Sequence, residues 1–306
     1  MKTLPAPLLA KISWRLLPFL LLMYIMAFLD RANVGFAKQA FQADTGLSDA
    51  AFAFGAGVFF VGYALLEVPS NLIMHRVGAR LWMCRIMVSW GLVSAAMMFA
   101  HNETSFYVLR FLLGVAEAGF FPGVILYLTY WFPSAVRGKA MGFFYFGAPL
   151  AFIFGSPLSG LLLELDGFSG LHGWQWLFAV EGLMATAVGI WAYWYLDNRP
   201  ADAKWLSAQH KKDLETALAE EQVGIKAVKN YAEAFRSPKV IILALQFFCW
   251  SIGVYGFVLW LPSILKAGLK MDMVEAGWLS ALPYLAAVIG MLVVSWGSDK
   301  LQKLLF

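Results

Sequence analysis

The chain has 306 residues, of which 61% are hydrophobic and 14% are charged, and its formal net charge is +4 at pH 7. Soluble domains average about 25% charged residues, so this composition excludes an ordinary soluble domain and indicates a polytopic membrane protein. The small positive charge does not indicate nucleic-acid binding, because basic residues are expected on the cytoplasmic side of membrane proteins and no nucleic-acid motif is present.

Windows of about 20 apolar residues predict eight membrane-spanning helices. Basic residues precede the first of them, as in a signal peptide, but no A-x-A-like cleavage site follows. We therefore interpret that run as the first span. The predicted spans are 17–37, 51–74, 82–100, 105–130, 140–163, 175–196, 240–262 and 275–297.

Basic residues are unevenly distributed between the loops. Arg76, Arg80 and Arg85 surround the turn between the second and third spans, whereas the loops after the third and fifth spans contain no Lys or Arg. By the positive-inside rule the N-terminus is cytoplasmic, and an even number of spans places the C-terminus on the same side.

One long polar segment follows the sixth span, and Ser207 to Gln222 within it is predicted to be a helix capped by Ser207. Many secondary transporters contain two halves of six spans joined by such a linker. The sequence therefore predicts a C-terminally truncated chain, ending in the start of a cytoplasmic loop, and we do not expect it to transport on its own. The predicted domains are an N-terminal six-helix bundle (1–196), a cytoplasmic linker (197–239) and a partial C-terminal bundle of two helices (240–306).

Four charged residues occur in or at the end of predicted spans: Asp30, Arg31, Arg110 and Glu117. Charges at membrane depth cost about 2.5–3.5 kcal/mol each on insertion scales and are usually functional. Arg110 and Glu117 are two helical turns apart and project from nearly the same face, where Gly114 leaves room for a ligand or a helix. An Arg can hold a carboxylate bidentately, and a carboxyl group balanced between burial and a nearby Arg can exchange a proton. We expect the four to line one shared chamber for an anion and a proton.

Structural alternatives remain open for these charges. Arg110 and Glu117 can form an ion pair that locks helices together, and Asp30–Arg31 can lie at the water interface. Glu67 and Glu181 can be partners of helix-end dipoles or groups at the rim of the membrane. No nucleotide-binding motif, metal-ligand cluster or nucleophile–base pair is visible. We therefore expect no enzymatic activity, no metal and no cofactor, and transport energy from an ion gradient.

Three stretches carry a resemblance to a known family. With them the chain resembles the major facilitator superfamily, and within it the anion:cation symporter group, which includes bacterial L-rhamnonate, tartrate and phthalate transporters. The resemblance implies an all-α polytopic fold with an N-terminal six-helix bundle and the first two helices of a second half. It also implies proton-coupled symport of an organic anion, such as a sugar acid, across the bacterial inner membrane. The stretches are Phe28–Gly35, Arg110–Gly123 with Trp131–Pro133 and Arg137, and Gly147–Pro149 with Gly155–Gly160.

The same resemblance implies a role for each of five residues. Arg31 and Arg110 would bind the substrate carboxylate, and Tyr63 would line the cavity. Asp30 and Glu117 would carry the coupling proton. The implied partners are a small carboxylate, a proton and the lipid bilayer, with no obligate protein partner.

A gating loop is implied after the second span, where the superfamily pattern reads G-x-x-x-D-R-x-G-R-[RK]. Asn71–Arg80 corresponds to it, with His75 at the position of the Asp. Arg76, Gly78 and Arg80 match the pattern, so we expect a gating contact there in altered form. Two alternatives to symport remain: an exporter or antiporter of the same fold, and a membrane protein that transports nothing.

Overall fold

The computed structural model describes residues 4–222 and 237–305, which form long helices joined by short turns. Eight helical segments in this described part are long and apolar enough to cross a membrane. They confirm the predicted all-α polytopic fold, whereas the division into three domains remains a prediction. The helices are α1 Ala6–Thr45, α2 Asp49–Val77, α3 Ala79–Ala96, α4 Glu103–Glu117, α5 Phe120–Trp131, α6 Ser134–Tyr145, α7 Gly147–Leu163, α8 Gly173–Tyr195, α9 Ala208–Gln222, α10 Pro238–Leu269 and α11 Met273–Leu305.

The first helix extends well beyond the span predicted at 17–37. It has 40 residues and ends at Gly46, whose left-handed backbone (φ +71°) stops the helix and accommodates a glycine without strain. Asp30 consequently lies inside α1 and is only 3% exposed. The alternative that placed Asp30 at the water interface is therefore wrong, because the helix continues for four more turns beyond it.

The fourth predicted span is broken into two helices. α4 ends at Glu117, and α5 begins at Phe120 after Gly119, which has φ +86°. A Cβ on Gly119 would collide with the side chain of Ser70 on α2, so this turn requires a glycine both for its backbone angle and for its close approach. The break places Glu117 at the C-terminus of α4, in the middle of the span.

The fifth predicted span is also divided. α6 begins at Ser134, six residues before the predicted start, and Phe146 separates it from α7. The chain does not leave the helical region at Phe146 (φ −60°, ψ −19°), so the interruption is a local tightening of the helix rather than a loop. Pro157 lies within α7, in the apolar interior of the bundle.

Helices α2 and α4 approach closely through glycines. The site of a Cβ on Gly114 is occupied by the carbonyl group of Phe59, and that of Gly62 by the backbone around Phe111. Small residues allow helix backbones to come this near within a membrane. The space that the sequence predicted beside Gly114 is therefore filled by a neighbouring helix rather than by a ligand.

The two C-terminal helices contact the first six spans mainly at one end and along α7. A Cβ on Gly35 of α1 would lie 2.9 Å from the Leu259 carbonyl oxygen of α10, and one on Gly277 of α11 would lie 2.6 Å from the Ser156 carbonyl oxygen of α7. Beyond Gly35, the Nζ of Lys38 lies 3.8 Å from the ring centroid of Trp260. We call this side of the molecule, which carries the turn between α1 and α2, the closed end.

The described part of the linker lies against the opposite end of the bundle. Ser207 accepts a hydrogen bond from the backbone N–H of His210 at 3.3 Å, which bears out the predicted cap of α9. Trp205 stacks on Trp131 of α5, and Glu221 forms a 3.0 Å ion pair with Arg137 of α6. Three basic residues of the linker, Lys226, Lys229 and Arg236, lie outside the described residues.

The last residues of the chain differ from their predicted conformation. The sequence predicted a span ending at 297 and then a cytoplasmic loop, whereas α11 continues as a helix to Leu305. The physical reason is that Asp299, Lys300 and Lys303 are polar without being helix breakers, so hydropathy drops while helical propensity does not.

Candidate functional site

An ion pair joins α1 to the C-terminus of α4. The Arg31 guanidinium lies 2.5 Å from Glu117, measured from Nη2 to Oε1, and the Glu117 side chain is fully buried. The break after Glu117 and the long uninterrupted α1 bring these two side chains together. A buried pair of this kind is neutral as a unit, but removing either partner leaves the other charge uncompensated.

A cavity of about 660 Å³ opens on one side of this ion pair. Its wall is formed by α1, α2, α5, α6 and α10, and aromatic side chains dominate it. Arg31 and Glu67 are its charged lining residues. Arg31 is about one helical turn from Gly35, which contacts α10 at the closed end. Arg31 therefore lies in the part of the cavity nearest the closed end. The aromatic residues in the wall are Tyr24, Phe28, Phe59, Phe60, Tyr63, Phe121, Tyr145, Phe247, Phe248, Trp250 and Tyr255.

Aromatic rings hold the Arg31 guanidinium in place. Its central carbon lies 5.1 Å from the ring centroid of Phe28 and 5.6 Å from that of Tyr63. Guanidinium groups are attracted to aromatic faces, so these rings stabilise the charge without neutralising it. Tyr63 lines the cavity at the position that the family resemblance implied.

Asp30 and Arg110 lie behind this wall, inside the bundle. Both are almost fully buried, and neither lines the cavity. Ser94 of α3 donates a hydrogen bond to Asp30, and the positive charges of Arg110 and Arg31 act on that carboxyl group. Arg110 donates to the Ala56 carbonyl oxygen at 3.5 Å and lies 4.8 Å from the ring centroid of Phe59.

The expected geometry of the four charges is therefore corrected in two respects. Only Arg31 of the four lines the described cavity, so they do not share one open chamber. Glu117 pairs with Arg31 across two helices rather than with Arg110 along α4. The reason is that side chains two turns apart on one helix are about 10 Å apart along its axis, whereas a crossing helix can approach within contact distance. The four nevertheless lie close enough to act on one another electrostatically.

Sequence reasoning missed several polar residues around these charges. Asn33, Ser94 and Ser159 are fully buried, and Glu181, interpreted as a helix-end or rim group, is only 2% exposed. Glu181 accepts a 2.8 Å hydrogen bond from the Ser159 hydroxyl. The spacing of Asn33 three residues after Asp30 was a usable signal, since residues at i and i+3 share a helix face. Nothing in the sequence paired α7 with α8 at these positions.

The predicted gating loop is a single-residue turn. Gly78 alone separates α2 from α3, with φ +100°, and a Cβ there would lie 2.7 Å from the Asn198 side-chain oxygen. Asn198 accepts a 2.9 Å hydrogen bond from the backbone N–H of Arg80, and the Arg80 side chain donates to the carbonyl oxygen of Tyr193. Arg76 is exposed at the end of α2. The turn is thus attached to the end of α8, and its gating role remains a prediction.

A comparison against known families agrees with this fold. A family model described as Major Facilitator Superfamily matches residues 20–306. The chain belongs to the Major Facilitator Superfamily. This facilitator is similar in structure to a bacterial homologue of the human lysosomal transporter Spinster in an inward-facing, unoccupied conformation. The TM-score is 0.73 at 20% identity, over 97% of this chain and 64% of that one. At this identity the likeness shows the fold alone.

Curated relatives of this facilitator are considerably more similar in sequence. A protein named putative tartrate transporter from Agrobacterium vitis is 47% identical over 293 residues, which are 95% of this chain and 67% of the relative. A protein named quinolone resistance transporter from Acinetobacter baumannii is 42% identical over 293 residues, covering 95% of this chain and 68% of the relative. The chain thus spans about two thirds of the length of these relatives.

Proposed function

We propose that this protein is a secondary active transporter that carries an organic anion together with a proton. The observation that supports this most directly is the Arg31–Glu117 pair, in which a cation that lines the cavity is neutralised by a buried carboxylate. In such an arrangement Arg31 can bind a substrate carboxylate only when its ion pair with Glu117 is broken. The similarity to the putative tartrate transporter supports an anionic substrate.

The mechanism is an exchange of partners at Arg31. A proton neutralises Glu117, the attraction between the two side chains falls, and the guanidinium becomes available to a carboxylate in the cavity. The substrate anion then takes the place of the Glu117 carboxylate. One proton and one monocarboxylate together add no net charge to the site, so the loaded protein can change conformation without moving a charge through the membrane, whereas a dicarboxylate needs a second proton for the same balance.

The other predicted site residues act around this exchange. Tyr63 contacts Arg31 at the cavity wall and is positioned to contact the bound anion. We assign Asp30 to the coupling proton and Arg110 to the carboxylate-binding charge, acting from behind the wall by their electrostatic influence on Arg31 and Glu117. A direct contact of Arg110 with the substrate would require the Phe59 ring, which separates it from the cavity, to move.

The residues of the cavity wall indicate which classes of anion the protein could bind. Our first candidates are a sugar acid such as rhamnonate and a hydroxylated dicarboxylate such as tartrate. The wall offers many aromatic faces, and its hydroxyl groups belong to four tyrosines and Ser251. Aromatic surfaces also bind flat, apolar groups well. The assay panel should therefore contain rhamnonate, tartrate and an aromatic acid such as phthalate.

The closed end would face the periplasm if the termini are cytoplasmic in the bacterial inner membrane, as the distribution of basic residues predicts. Glu67 and Tyr24 lie on the side of the cavity away from Gly35, so the cavity would then open towards the cytoplasm. The described conformation corresponds in that orientation to release of the anion into the cell.

Uptake into proteoliposomes tests this proposal. The protein expressed from its intact gene is reconstituted, a pH gradient is imposed, and accumulation of each labelled anion is measured with and without a protonophore. We expect gradient-dependent accumulation of at least one anion, and its loss in Glu117→Gln and Arg110→Ala. Accumulation at the wild-type level in both variants would contradict the roles assigned to Glu117 and Arg110. Accumulation that the protonophore does not reduce would contradict proton coupling.

Export by the same fold is the second candidate function. It is favoured by the similarity to the quinolone resistance transporter and by the aromatic cavity wall. The same vesicles discriminate the two directions: an exporter extrudes a preloaded aromatic compound when protons enter from the opposite side, whereas a symporter accumulates its anion with the protons. A membrane protein without transport activity would do neither and would tolerate neutralisation of all four buried charges.

A further inference from the structure

Another buried ionisable residue, Glu181, lies near Asp30, one of the four residues that the proposed mechanism uses. Glu181 is on α8, and its Oε1 accepts a 2.8 Å hydrogen bond from Ser159 of α7. Its Oε2 is buried and has no hydrogen-bond partner within residues 4–222 and 237–305. A carboxyl group with one unpartnered oxygen in the interior of a bundle requires a physical explanation.

The charges around Glu181 do not neutralise it. Among the described residues, Lys, Arg and His form no ion pair with it. The charged group that acts on it is Asp30, which is itself acidic. Arg31 and Arg110 are already balanced by Glu117 and Asp30, so an ionised Glu181 would be an uncompensated negative charge beside another one. Burial and a like-charged neighbour both favour the protonated form of a carboxyl group.

Asn33 lies beside both acids. Its amide is fully buried next to the Asp30 and Glu181 carboxyl groups. Four atoms here lack a partner in strict hydrogen-bond geometry: the amide oxygen and nitrogen of Asn33, Oδ2 of Asp30 and Oε2 of Glu181. An amide offers one acceptor and one donor group. It can therefore satisfy one protonated and one ionised carboxyl group at the same time, but not two ionised ones.

We propose that Asp30 and Glu181 form a second proton-binding site in which one proton is shared between the two carboxyl groups across the Asn33 amide. In one state the proton is on Oε2 of Glu181, which donates to the amide oxygen, while the amide nitrogen donates to the ionised Asp30. In the other state the O–H bond at Glu181 is broken, an O–H bond at Oδ2 of Asp30 is formed, and the Asn33 amide is rotated by half a turn.

This site extends the proposed function, because Asp30 also interacts with Arg110 and Arg31 and thereby with the Arg31–Glu117 pair. A proton on Asp30 would remove the negative charge that acts on Arg110, whereas a proton on Glu181 would leave that charge in place. The position of the shared proton thus decides which of the two carboxyl groups carries the negative charge behind the cavity wall, while their combined charge stays the same. Whether the two carboxyl groups share a proton can nevertheless be tested without measuring transport.

The first test is infrared spectroscopy of the purified protein expressed from its intact gene, titrated with pH. We expect a carbonyl stretch of a buried protonated carboxyl group near neutral pH, and its loss in Glu181→Gln, which keeps the shape and the neutral charge. The midpoint of its titration should move by about one pH unit or more in Asp30→Asn and in Asn33→Leu. Glu164→Gln, at an exposed acid at the end of α7, is the matched control and should change nothing.

Each outcome decides the proposal. If the signal is unchanged in Glu181→Gln, it comes from another buried carboxyl group such as Glu117, and the proposal that Glu181 holds the proton is wrong. If the signal is lost there but does not shift in Asp30→Asn or Asn33→Leu, Glu181 is an isolated neutral acid and shares no proton. Correct folding of the variants is checked by their thermal unfolding in detergent.

A transport arm separates this inference from the proposed function. If the wild-type protein accumulates an anion, Glu181→Gln should lose accumulation driven by the pH gradient while it retains exchange of labelled for unlabelled anion. Accumulation at the wild-type level in Glu181→Gln would show that the shared proton is not the one that couples the pH gradient to anion transport. If the wild-type protein accumulates nothing, the proposed function fails, while the infrared result still decides whether the proton is shared.

Discussion

Arg31 and Glu117 lie 2.5 Å apart, although α1 carries the first and the broken end of α4 carries the second. Arg31 is at the cavity surface and Glu117 is wholly buried behind it. The pair therefore connects the space available to a ligand with the interior of the bundle. Four predictions follow from this pair and from the packing around it.

Glu117→Gln should increase the affinity of Arg31 for anions and remove its pH dependence. The glutamine is neutral at every pH, so the guanidinium loses its competing carboxylate permanently. We expect anion affinity near pH 7.5 to rise about tenfold, roughly 1.4 kcal/mol, to the value that the wild-type protein reaches only in acid. Anion binding is measured by tryptophan fluorescence at several pH values.

Glu103→Gln is the matched control for that variant, because Glu103 is an exposed acid at the start of the same helix. It should bind anions as the wild-type protein does. A Glu117→Gln protein whose affinity still changes with pH as in the wild type would show that another group controls access to Arg31.

Arg31→Ala should destabilise the protein as well as abolish anion binding. It leaves the Glu117 carboxylate buried without a partner, and breaking a buried pair in this way costs about 3–5 kcal/mol. Thermal unfolding in detergent should show the loss at neutral pH, and lowering the pH should reduce it, because a protonated Glu117 needs no cation.

The double variant Arg31→Ala with Glu117→Gln tests the cause of that loss. Since both charges are removed together, it should recover most of the unfolding temperature without recovering anion binding. If the double variant is as unstable as Arg31→Ala, the destabilisation arises from lost packing against Phe28 and Tyr63 rather than from the unpaired charge.

Gly114→Ala should destabilise the contact between α2 and α4. The added methyl group would occupy the position of the Phe59 carbonyl group, which is backbone and can move only with its helix. Overpacking of this kind costs about 1–3 kcal/mol. The free energy or temperature of unfolding in detergent measures the effect.

Gly142→Ala is the control for that substitution, since a Cβ on this glycine of α6 meets nothing within 4 Å. It should leave stability unchanged or raise it slightly, because alanine has the higher helix propensity. Equal losses in both variants would mean that detergent contacts, rather than the approach of α2 to α4, limit the measured stability.

A cysteine pair at the closed end should form a disulfide and stop the conformational cycle. The Gln39 side chain of α1 donates to the Ser263 carbonyl oxygen of α10 at 3.5 Å, so these two residues are neighbours across the closed end, and the pair is Gln39→Cys with Ser263→Cys. We make the pair in a background without the native Cys84 and Cys249. Oxidation should abolish transport in the vesicle assay, and reduction should restore it.

The matching control is a single Gln39→Cys variant, whose transport rate should not change when oxidant is added. If the double variant cross-links and still transports at the wild-type rate, the contact between α1 and α10 does not open during the cycle. The closed end would then be a permanent part of the structure rather than a gate.

The sequence alone determined the class of fold. Eight long apolar runs, loops with contrasting charge and the charged residues Asp30, Arg31, Arg110 and Glu117 are local properties, and hydropathy reports them because each span must bury its own backbone in lipid. The helix breaks were less visible: Gly119 interrupts a run whose hydropathy is continuous, because the turn depends on a positive φ angle and on contact with Ser70.

Only the tertiary structure decided which charges meet. Spacing along α4 favoured Arg110 with Glu117, whereas the crossing of α1 brings Arg31 to Glu117 and leaves Arg110 near Asp30. Asn33, Ser159 and Glu181 belong to three helices that no sequence pattern pairs. Electrostatic partners in a bundle are set by how helices cross, and that crossing depends on small residues such as Gly62 and Gly114, whose effect appears only once the neighbouring backbone is in place.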